Sequence, residues 1–498
     1  MAGTVWALLP PVVAIALALI TKEVYLSLLI GILSGALLIT GLNPVTSVET
    51  AFTIMGDKIG GNVNILIFLV LLGILVALIT KSGASRAYGD WASRAIKSKK
   101  GAQLSTVLLG SLIFVDDYFN CLTVGTVMRP VTDKYEVSRA KLAYIIDATA
   151  APICIIAPIS SWAAAVGSSL PENCGVDGFN LFLRTIPFNL YALLTILFML
   201  YLIIRNVDYG TMRAYEARIK TEGEETSGDK GLEVTGNGKV IDLVLPIAVL
   251  IVFCISAMLY TGGLLDGVGI VNAFADCDSA KSLVLGSFFT LVVVFVMYLP
   301  RKVITFREFC DSFVEGFKAM TPAIMILCLA WTLSGVCNED YLNIGGFVSG
   351  VVGGSALVGM LLPAILFVVA TGLSFATGTS WGTFGILIPI AVQVVGTADI
   401  NMLTITTAAI LAGAVCGDHI SPISDTTILA SAGAQCNHIN HVSTQIPYAL
   451  TVAGCCLVGF LAGGIAANGW IGTLVGLVML AAVLLVVGKK ANTAGEKK

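Results

Sequence analysis

Lysine and arginine are absent from Gly101 to Met128 and again from Ala319 to Gly488. Charged residues make up 12% of the 498-residue chain and hydrophobic ones 57%, where a soluble protein carries about 25% charged residues. This excludes an ordinary soluble domain and implies a polytopic membrane protein. A net charge of −3 provides no basic surface for nucleic acid. The twelve cysteines contain no Cys-x-x-Cys spacing, and most lie in apolar runs as small hydrophobes. Cys174, Cys277 and Cys337 alone are expected in external loops, and their pairing is not legible. No basic region precedes the apolar run Met1–Ile20, which is therefore expected to be a retained first helix. Neither Gly-x-Ser-x-Gly nor His-Glu-x-x-His accompanies His419, Ser421 and Asp425. His419, Ser421 and Asp425 have the makings of a hydrolytic triad, but on one helix they would radiate from a common axis, so an enzyme is not expected.

What is present stands out against that background. Asp116-Asp117-Tyr118-Phe119-Asn120 and Asp418-His419-Ile420-Ser421-Pro422-Ile423-Ser424-Asp425 fall where hydropathy places the middle of a membrane. An ionisable group at that depth costs at least ~2.5 kcal/mol and by default marks a substrate or ion pathway. With no lysine or arginine nearby in sequence, these aspartates must be protonated, hold a mobile cation or borrow charge from a distant segment.

A span needs roughly 17 to 25 apolar residues. Uninterrupted candidates lie at 5–20, 24–42, 63–80, 182–204, 241–262, 282–300, 321–337, 446–466 and 471–488. Basic clusters around Lys97 to Lys100, Arg129 to Lys141, Arg205 to Lys220 and Arg301 to Arg307 mark cytoplasmic loops. With Lys100 and Arg129 on one side, the stretch between them must dip in and return as a re-entrant hairpin tipped by Asp116–Asn120. The second half repeats the scheme upside down. Thr123-Val-Gly125 resembles Thr383-Phe-Gly385, and Ala157-Pro-Ile-Ser160 resembles Ser421-Pro-Ile-Ser424, at offsets of 260 and 264 residues.

The expected fold is an all-α polytopic membrane protein, an inverted-repeat transporter with about 11 transmembrane helices and two re-entrant hairpins. The first repeat spans 1–204, with hairpin 104–130 and broken helix 142–168. A flexible cytoplasmic linker covers 205–240. The second repeat spans 241–466, with hairpin 356–392 and broken helix 403–430, and 467–498 adds a helix and tail. The N-terminus is expected outside and the C-terminus in the cytoplasm.

Hard cations prefer oxygen ligands, which a membrane protein supplies from carboxylates, hydroxyls, amides and carbonyls freed at a helix break. The first tip offers Asp116, Asp117, Asn120 and Thr123. If helical, Asp116, Asn120 and Thr123 share a face, and in the other half Asp418, Ser421 and Asp425 share one, with Pro422 releasing carbonyls. The second tip offers Thr377, Ser380 and Thr383 but no acid, and could instead cradle an organic carboxylate. Ser160, Ser424 and Thr426 add neutral oxygens, although membrane hydroxyls often bond their own backbone. Asp147 is either an interfacial residue or functional, and His419 either structural or proton-coupling. His438 and His441 read as cytoplasmic surface, and Glu339 and Asp340 as a solvated external loop. The leading Na+ ligands are Asp117, Asn120 and Asp425.

The blocks Val115–Asn120, Thr377–Trp381 and Gly417–Thr427 resemble those of the NhaC-type Na+/H+ antiporter family, within a broader ion transporter superfamily. The resemblance runs from about residue 60 to 470. It implies a scaffold and a transport domain with two hairpins, exchange of cytoplasmic Na+ or Li+ for external H+, and a bacterial inner membrane location. It also implies kinship with sodium-coupled carriers of organic acids and amino acids, which makes a small organic solute the alternative cargo. No cofactor is expected, since Na+ and H+ enter as cargo. The bilayer is the expected surrounding, and a homodimer is compatible with the sequence.

Overall fold

The computed structural model describes residues 3–495 apart from 22, 172–173, 223–235, 271–272, 274–276, 339, 344–346, 348–355 and 423. For some helical residues, Thr377 and Asp425 among them, only the backbone is described. Residues 223–235 of the expected linker and Glu339 lie outside the described residues, and the linker's earlier part forms the helix Gly210–Glu222.

Among the described residues every regular element is a helix. Seven helices are long and apolar enough to cross a bilayer, and the apolar pair Tyr25–Ile39 and Pro44–Gly61 is bent by 117°, as in a broken span or a re-entrant loop. Shorter apolar helices include Val5–Ala14, Leu327–Cys337, Gly359–Phe375 and Ser380–Val395. The chain is an all-α, multi-pass membrane protein. Its peripheral helices keep large apolar side chains exposed, such as Val252, Leu474, Val478 and Leu485, as a lipid-facing surface requires. Two expectations change. Arg307 and Cys337, expected in loops, both lie in one helix, Phe306–Cys337: a capping box formed by Thr305 and Glu308 starts it early, and it runs on to a C-cap at Asn338. Among the described residues no disulfide links the cysteines.

A pair of helices joined by a short turn lies over each stretch expected as a hairpin. The first comprises Lys99–Leu112 and Asp117–Lys134, with its turn at 113–116. Its two ends meet again: Tyr135 donates to the Ile96 carbonyl at 2.5 Å and Lys99 Nζ to the Glu136 carbonyl at 2.8 Å. The second comprises Ala356–Thr377 and Ser380–Val395. There the chain reverses through Gly378, whose φ of +68° suits glycine, and Thr379 caps the return helix. The first broken helix runs as Arg139–Thr149, Ala151–Cys154 and Ser161–Ser168, and the second as Ile400–Ile420 and Asp425–Ala434.

The helix His438–Ile465, about 42 Å long at 1.5 Å per residue, acts as a ruler between the two ends of the molecule. At its start, Tyr209 donates to the Pro447 carbonyl, and Arg139 donates to both Gln435 Oε1 and Asp133 Oδ2, each at 3.1 Å. Lys141, expected in a loop, is instead buried in a helix, where Asp208 pairs with it. At the far end Gly464 approaches the Met360 carbonyl, at the foot of the second hairpin. The first hairpin therefore rises from the basic end and the second from the opposite end.

Glycines set the register between these elements. A Cβ on Gly417 would lie 2.2 Å from the Thr371 carbonyl oxygen and one on Gly413 2.4 Å from that of Phe367, so the second hairpin packs parallel to Ile400–Ile420. Likewise a Cβ on Gly125 would lie 2.4 Å from the Gly433 carbonyl carbon. The helices Asp117–Lys134 and Asp425–Ala434 also both end at Arg139, through Asp133 and Gln435, so they too run parallel.

Two measurements check this arrangement. Cysteines replacing Lys99 and Lys134, in a background without other reactive thiols, should both label from the same side of the membrane; labelling from opposite sides would mean that the segment crosses. Gly125→Ala should lower the melting temperature of the solubilised protein, at a cost on the order of 1–3 kcal/mol for overpacking. An unchanged melting temperature would show that this seam is not closed.

Candidate functional site

The polar residues of the four interrupted elements converge at the level of the breaks. The first hairpin turn meets the first broken helix where the Ser161 amide donates to the Val115 carbonyl at 2.9 Å. The second turn meets the second broken helix where Ser421 Oγ donates to the Phe375 carbonyl at 2.7 Å. Edge-on packing of Trp162 against Trp381, with ring centroids 6.0 Å apart, joins the two halves.

Asn120 organises the first tip. Its Nδ2 lies 2.7, 2.9 and 3.1 Å from the carbonyls of Gly110, Ile113 and Thr149. Two of these carbonyls come from the end of the preceding helix and one from the end of Arg139–Thr149, so a single amide ties together chain ends that would otherwise have no backbone donor. Only the nitrogen can donate to carbonyls, which fixes the amide orientation. Asn120 Oδ1 and Thr123 Oγ1, both buried, have no protein hydrogen-bond partner among the described residues. Asp116 and Asp117 are buried at the head of this helix, with the Asp116 carbonyl accepting from the Asn120 amide.

The seam between Gly125 and Gly433 carries this arrangement across to the other half. Asp117 lies eight residues before Gly125, and Asp425 eight before Gly433. On parallel helices in contact, each steps back about 12 Å along its axis, so the backbones of Asp117 and Asp425 start their helices at the same depth. The expected shared face of Asp418, Ser421 and Asp425 does not form. Pro422 ends helicity, and Asp418 and Asp425 lie on separate helices. Asp418 Oδ2 instead accepts from Ser380 Oγ at 3.1 Å and Thr426 Oγ1 at 2.9 Å, which fastens the second hairpin to both pieces of the broken helix.

Several expected ligands serve the backbone. Ser160 caps Ser161–Ser168, accepting from the Ala163 amide and donating toward the Cys154 and Ala157 carbonyls. Ser424 caps Asp425–Ala434 by accepting from the Thr427 amide. Thr383 donates to the Thr379 carbonyl one turn back. Side-chain contacts of Thr377 and Asp425 lie outside the described residues.

Asp147 is fully buried rather than interfacial, at the heart of a second polar cluster. Its Oδ2 accepts from Gln445 Nε2 at 2.6 Å and Thr427 Oγ1 at 3.2 Å. His441 Nε2 lies 3.4 Å from Oδ2, and His419 Nε2 lies 3.8 Å from Oδ1. His441 was expected at the surface but is fully buried. Most of the polar run it belongs to, from His438 on, forms the first two turns of a helix rather than a loop, and this buries one side of it. His438 is half-buried and reaches the Pro422 carbonyl at 2.7 Å. Sequence reasoning missed His441 and Gln445. The signal was there, because His441, Gln445 and Tyr448 at i, i+4 and i+7 form one helical face, all of it buried.

The sequence is similar to those of known transporters. A profile of the Na+/H+ antiporter family matches residues 162–465, which takes in the second hairpin and the second broken helix. A Haemophilus influenzae protein, described as uncharacterized, is 38% identical over 98% of this chain and 96% of its own length. The malate-2H+/Na+-lactate antiporter of Bacillus subtilis is 28% identical over 36% of this chain and 43% of its own. The putative amino acid transporter YuiF of the same organism is 25% identical over 78% of this chain and 84% of its own. The molecule is a transporter and not an enzyme, with an ion or small solute as its cargo. It belongs to the Na+/H+ antiporter family.

Proposed function

We propose that this chain exchanges cytoplasmic Na+ or Li+ for external H+ by alternating access, with Asp117 and Asp425 holding either the cation or a proton but not both. The observation that carries this reading is the common depth of the two aspartates, set by the contact of Gly125 with Gly433. Asn120 Oδ1 and Thr123 Oγ1 add neutral oxygens on the first helix. Two carboxylates with an amide and a hydroxyl oxygen suit a hard monovalent cation. Exclusive occupancy makes exchange obligatory, because a carboxylate that keeps its proton has no charge to offer the cation.

An inverted repeat, with units 1–204 and 241–466 joined by a cytoplasmic linker, underlies the exchange. Its support is positional. Ser160 and Ser424, 264 residues apart, are both helix caps that accept from the amide three residues on. The two hairpins rise from opposite ends, and helices broken near the midplane are a recurring transporter device. The basic end is assigned to the cytoplasm of a bacterial cell, in the inner membrane.

The second reading is cation-coupled transport of a small organic acid or amino acid, favoured by the activities for which the two Bacillus relatives are named. Against it, the Ser380 hydroxyl that would cradle a carboxylate lies between Asp418 Oδ2 and the Ala414 carbonyl, at 3.1 Å from each. A substrate carboxylate at that tip would face the carboxylate of Asp418.

In proteoliposomes with an imposed pH gradient, Asp117→Asn and Asp425→Asn should each cut Na+ uptake by at least about tenfold, a loss of roughly 1.4 kcal/mol of barrier stabilisation, at normal expression and monodispersity. Wild-type rates in both variants would remove these residues from the mechanism. Purified wild-type protein should move Na+ at a rate indifferent to malate, lactate or amino acids. Na+ uptake that requires one of these solutes, with no Na+/H+ exchange without it, would establish the organic reading instead.

A further inference from the structure

The cluster around Asp147 is not needed to ligate a cation, yet it buries one carboxylate against two imidazoles. Asp147 belongs to Arg139–Thr149, His419 to Ile400–Ile420 and His441 to His438–Ile465, and each has at most 2% of its surface exposed. Gln445 and Thr427 donate to Oδ2, and Gln445 also donates to the His419 carbonyl at 2.8 Å, which steadies both groups. Tyr191 OH lies 3.2 Å from His419 Nδ1, so that ring presents its Nε2 edge to the carboxylate. Both His441 nitrogens and His419 Nε2 are buried with no hydrogen-bond partner among the described residues. An imidazole that served only as a structural strut would be expected to use both nitrogens.

Charge limits what such a cluster can hold. With both rings neutral it carries the single negative charge of Asp147, and one proton on either ring makes it neutral. A second proton would leave a net positive charge out of water, with two imidazolium rings sharing a single counter-ion. We propose that Asp147, His419 and His441 form a one-proton site, distinct from the pair Asp117 and Asp425 and coupled to it through Thr427. This deepens the Na+/H+ exchange reading and rests on it. The Thr427 hydroxyl has one hydrogen and two acceptors, Asp147 Oδ2 at 3.2 Å and the Asp418 carbonyl at 3.4 Å. Its residue lies two positions beyond Asp425. A proton on a ring neutralises the charge of Asp147, weakens its pull on Thr427 and favours the Asp418 carbonyl, which biases the head of the helix that begins at Asp425. Conversely, a cation at the breaks disfavours the imidazolium by direct repulsion.

The site lies between the basic end and the breaks, six residues past Lys141 and thus about 9 Å deeper along its helix. The other titratable groups around it are Asp117 and Cys121 of the first hairpin, Cys416 and Asp418 beside His419, and Tyr191, Tyr144 and Tyr448 from the neighbouring helices. Asp425 heads the packed helix Asp425–Ala434, and Lys99 and Lys100 start the packed helix Lys99–Leu112. Tyrosine and cysteine ordinarily ionise above neutral pH and the lysines ordinarily stay charged there, so the imidazoles and carboxylates are the groups that can trade a proton.

The chain has three histidines, so full-length protein labelled with 15N in its imidazoles gives three ring signals, and His438→Gln identifies the half-buried one. Titrated through neutral pH without Na+, one of the two buried rings should take up a proton while the other stays neutral. Na+ should then lower that ring's proton affinity at least tenfold, about one pH unit, and by linkage the proton should weaken Na+ binding by the same factor. In Asp147→Asn the ring should titrate at lower pH, because the charge favouring its protonated form is gone. Two buried rings that stay neutral throughout, two that charge together, or a charging ring indifferent to Na+ would each overturn the proposal. If the same preparation still exchanges radioactive Na+ against a pH gradient, only this site is lost. If it exchanges none, the Na+/H+ reading falls and takes this site with it.

Discussion

The close contact of Gly125 with Gly433 is the constraint on which the polar interior depends. It joins a hairpin of the first half to a helix fragment of the second. A side chain at either position would push the helices apart, and three placements would be lost with their contact. The backbones of Asp117 and Asp425 would no longer share a depth. Asp425–Ala434 would draw away from Arg139–Thr149, removing Thr427 from Asp147, and Arg139 could no longer span Asp133 and Gln435. Association of apolar helices in a bilayer gains little from the hydrophobic effect, so close backbone approach is the physical resource left to the sequence.

Broken helices would be untenable in lipid if their freed backbone groups were left unpaired. Here short polar side chains provide the partners. Ser160, Thr379 and Ser424 each accept from an amide at a helix start, and Asn120 supplies donors for carbonyls at two helix ends. This explains why so many hydroxyls of the polar motifs are committed to the backbone rather than open to cargo. They hold the breaks open, and on the proposed reading the carboxylates and the Asn120 oxygen carry the chemistry.

Much of this was legible in the sequence because the signals are local. The gap without lysine or arginine between Lys100 and Arg129 pointed to the first hairpin, and the observed turn at 113–116 falls within it, whereas the second rested on counting spans. Pro422 and the Ser-Pro-Ile-Ser block located the second break. Reading Asp418 and Asp425 on one helical face failed because that proline, although noticed, was not allowed to end the helix. The basic residue Lys141 was read from charge alone, and Asp208, its partner, lies 67 residues away. His441 was misplaced for a similar reason. The run Gln435–Gln445 is polar by composition, and only its helical periodicity, together with neighbours 298 residues away in sequence, shows that one side of it is buried.

The two polar clusters differ in a way that suits different cargo. Around Asp117 and Asp425 the neighbouring oxygens belong to an amide and a hydroxyl, which can ligate a metal cation but cannot store a proton near neutral pH. Around Asp147 the neighbours are two imidazoles, which can store a proton, and an amide whose nitrogen donates to the carboxylate and would repel a metal cation from that face. On the proposed reading, exclusive occupancy of Asp117 and Asp425 is then reinforced by the protonation of a second cluster. Coupling comes from a short helix whose head carries Asp425 and whose first turn carries Thr427, so that one element responds to the occupancy of both clusters.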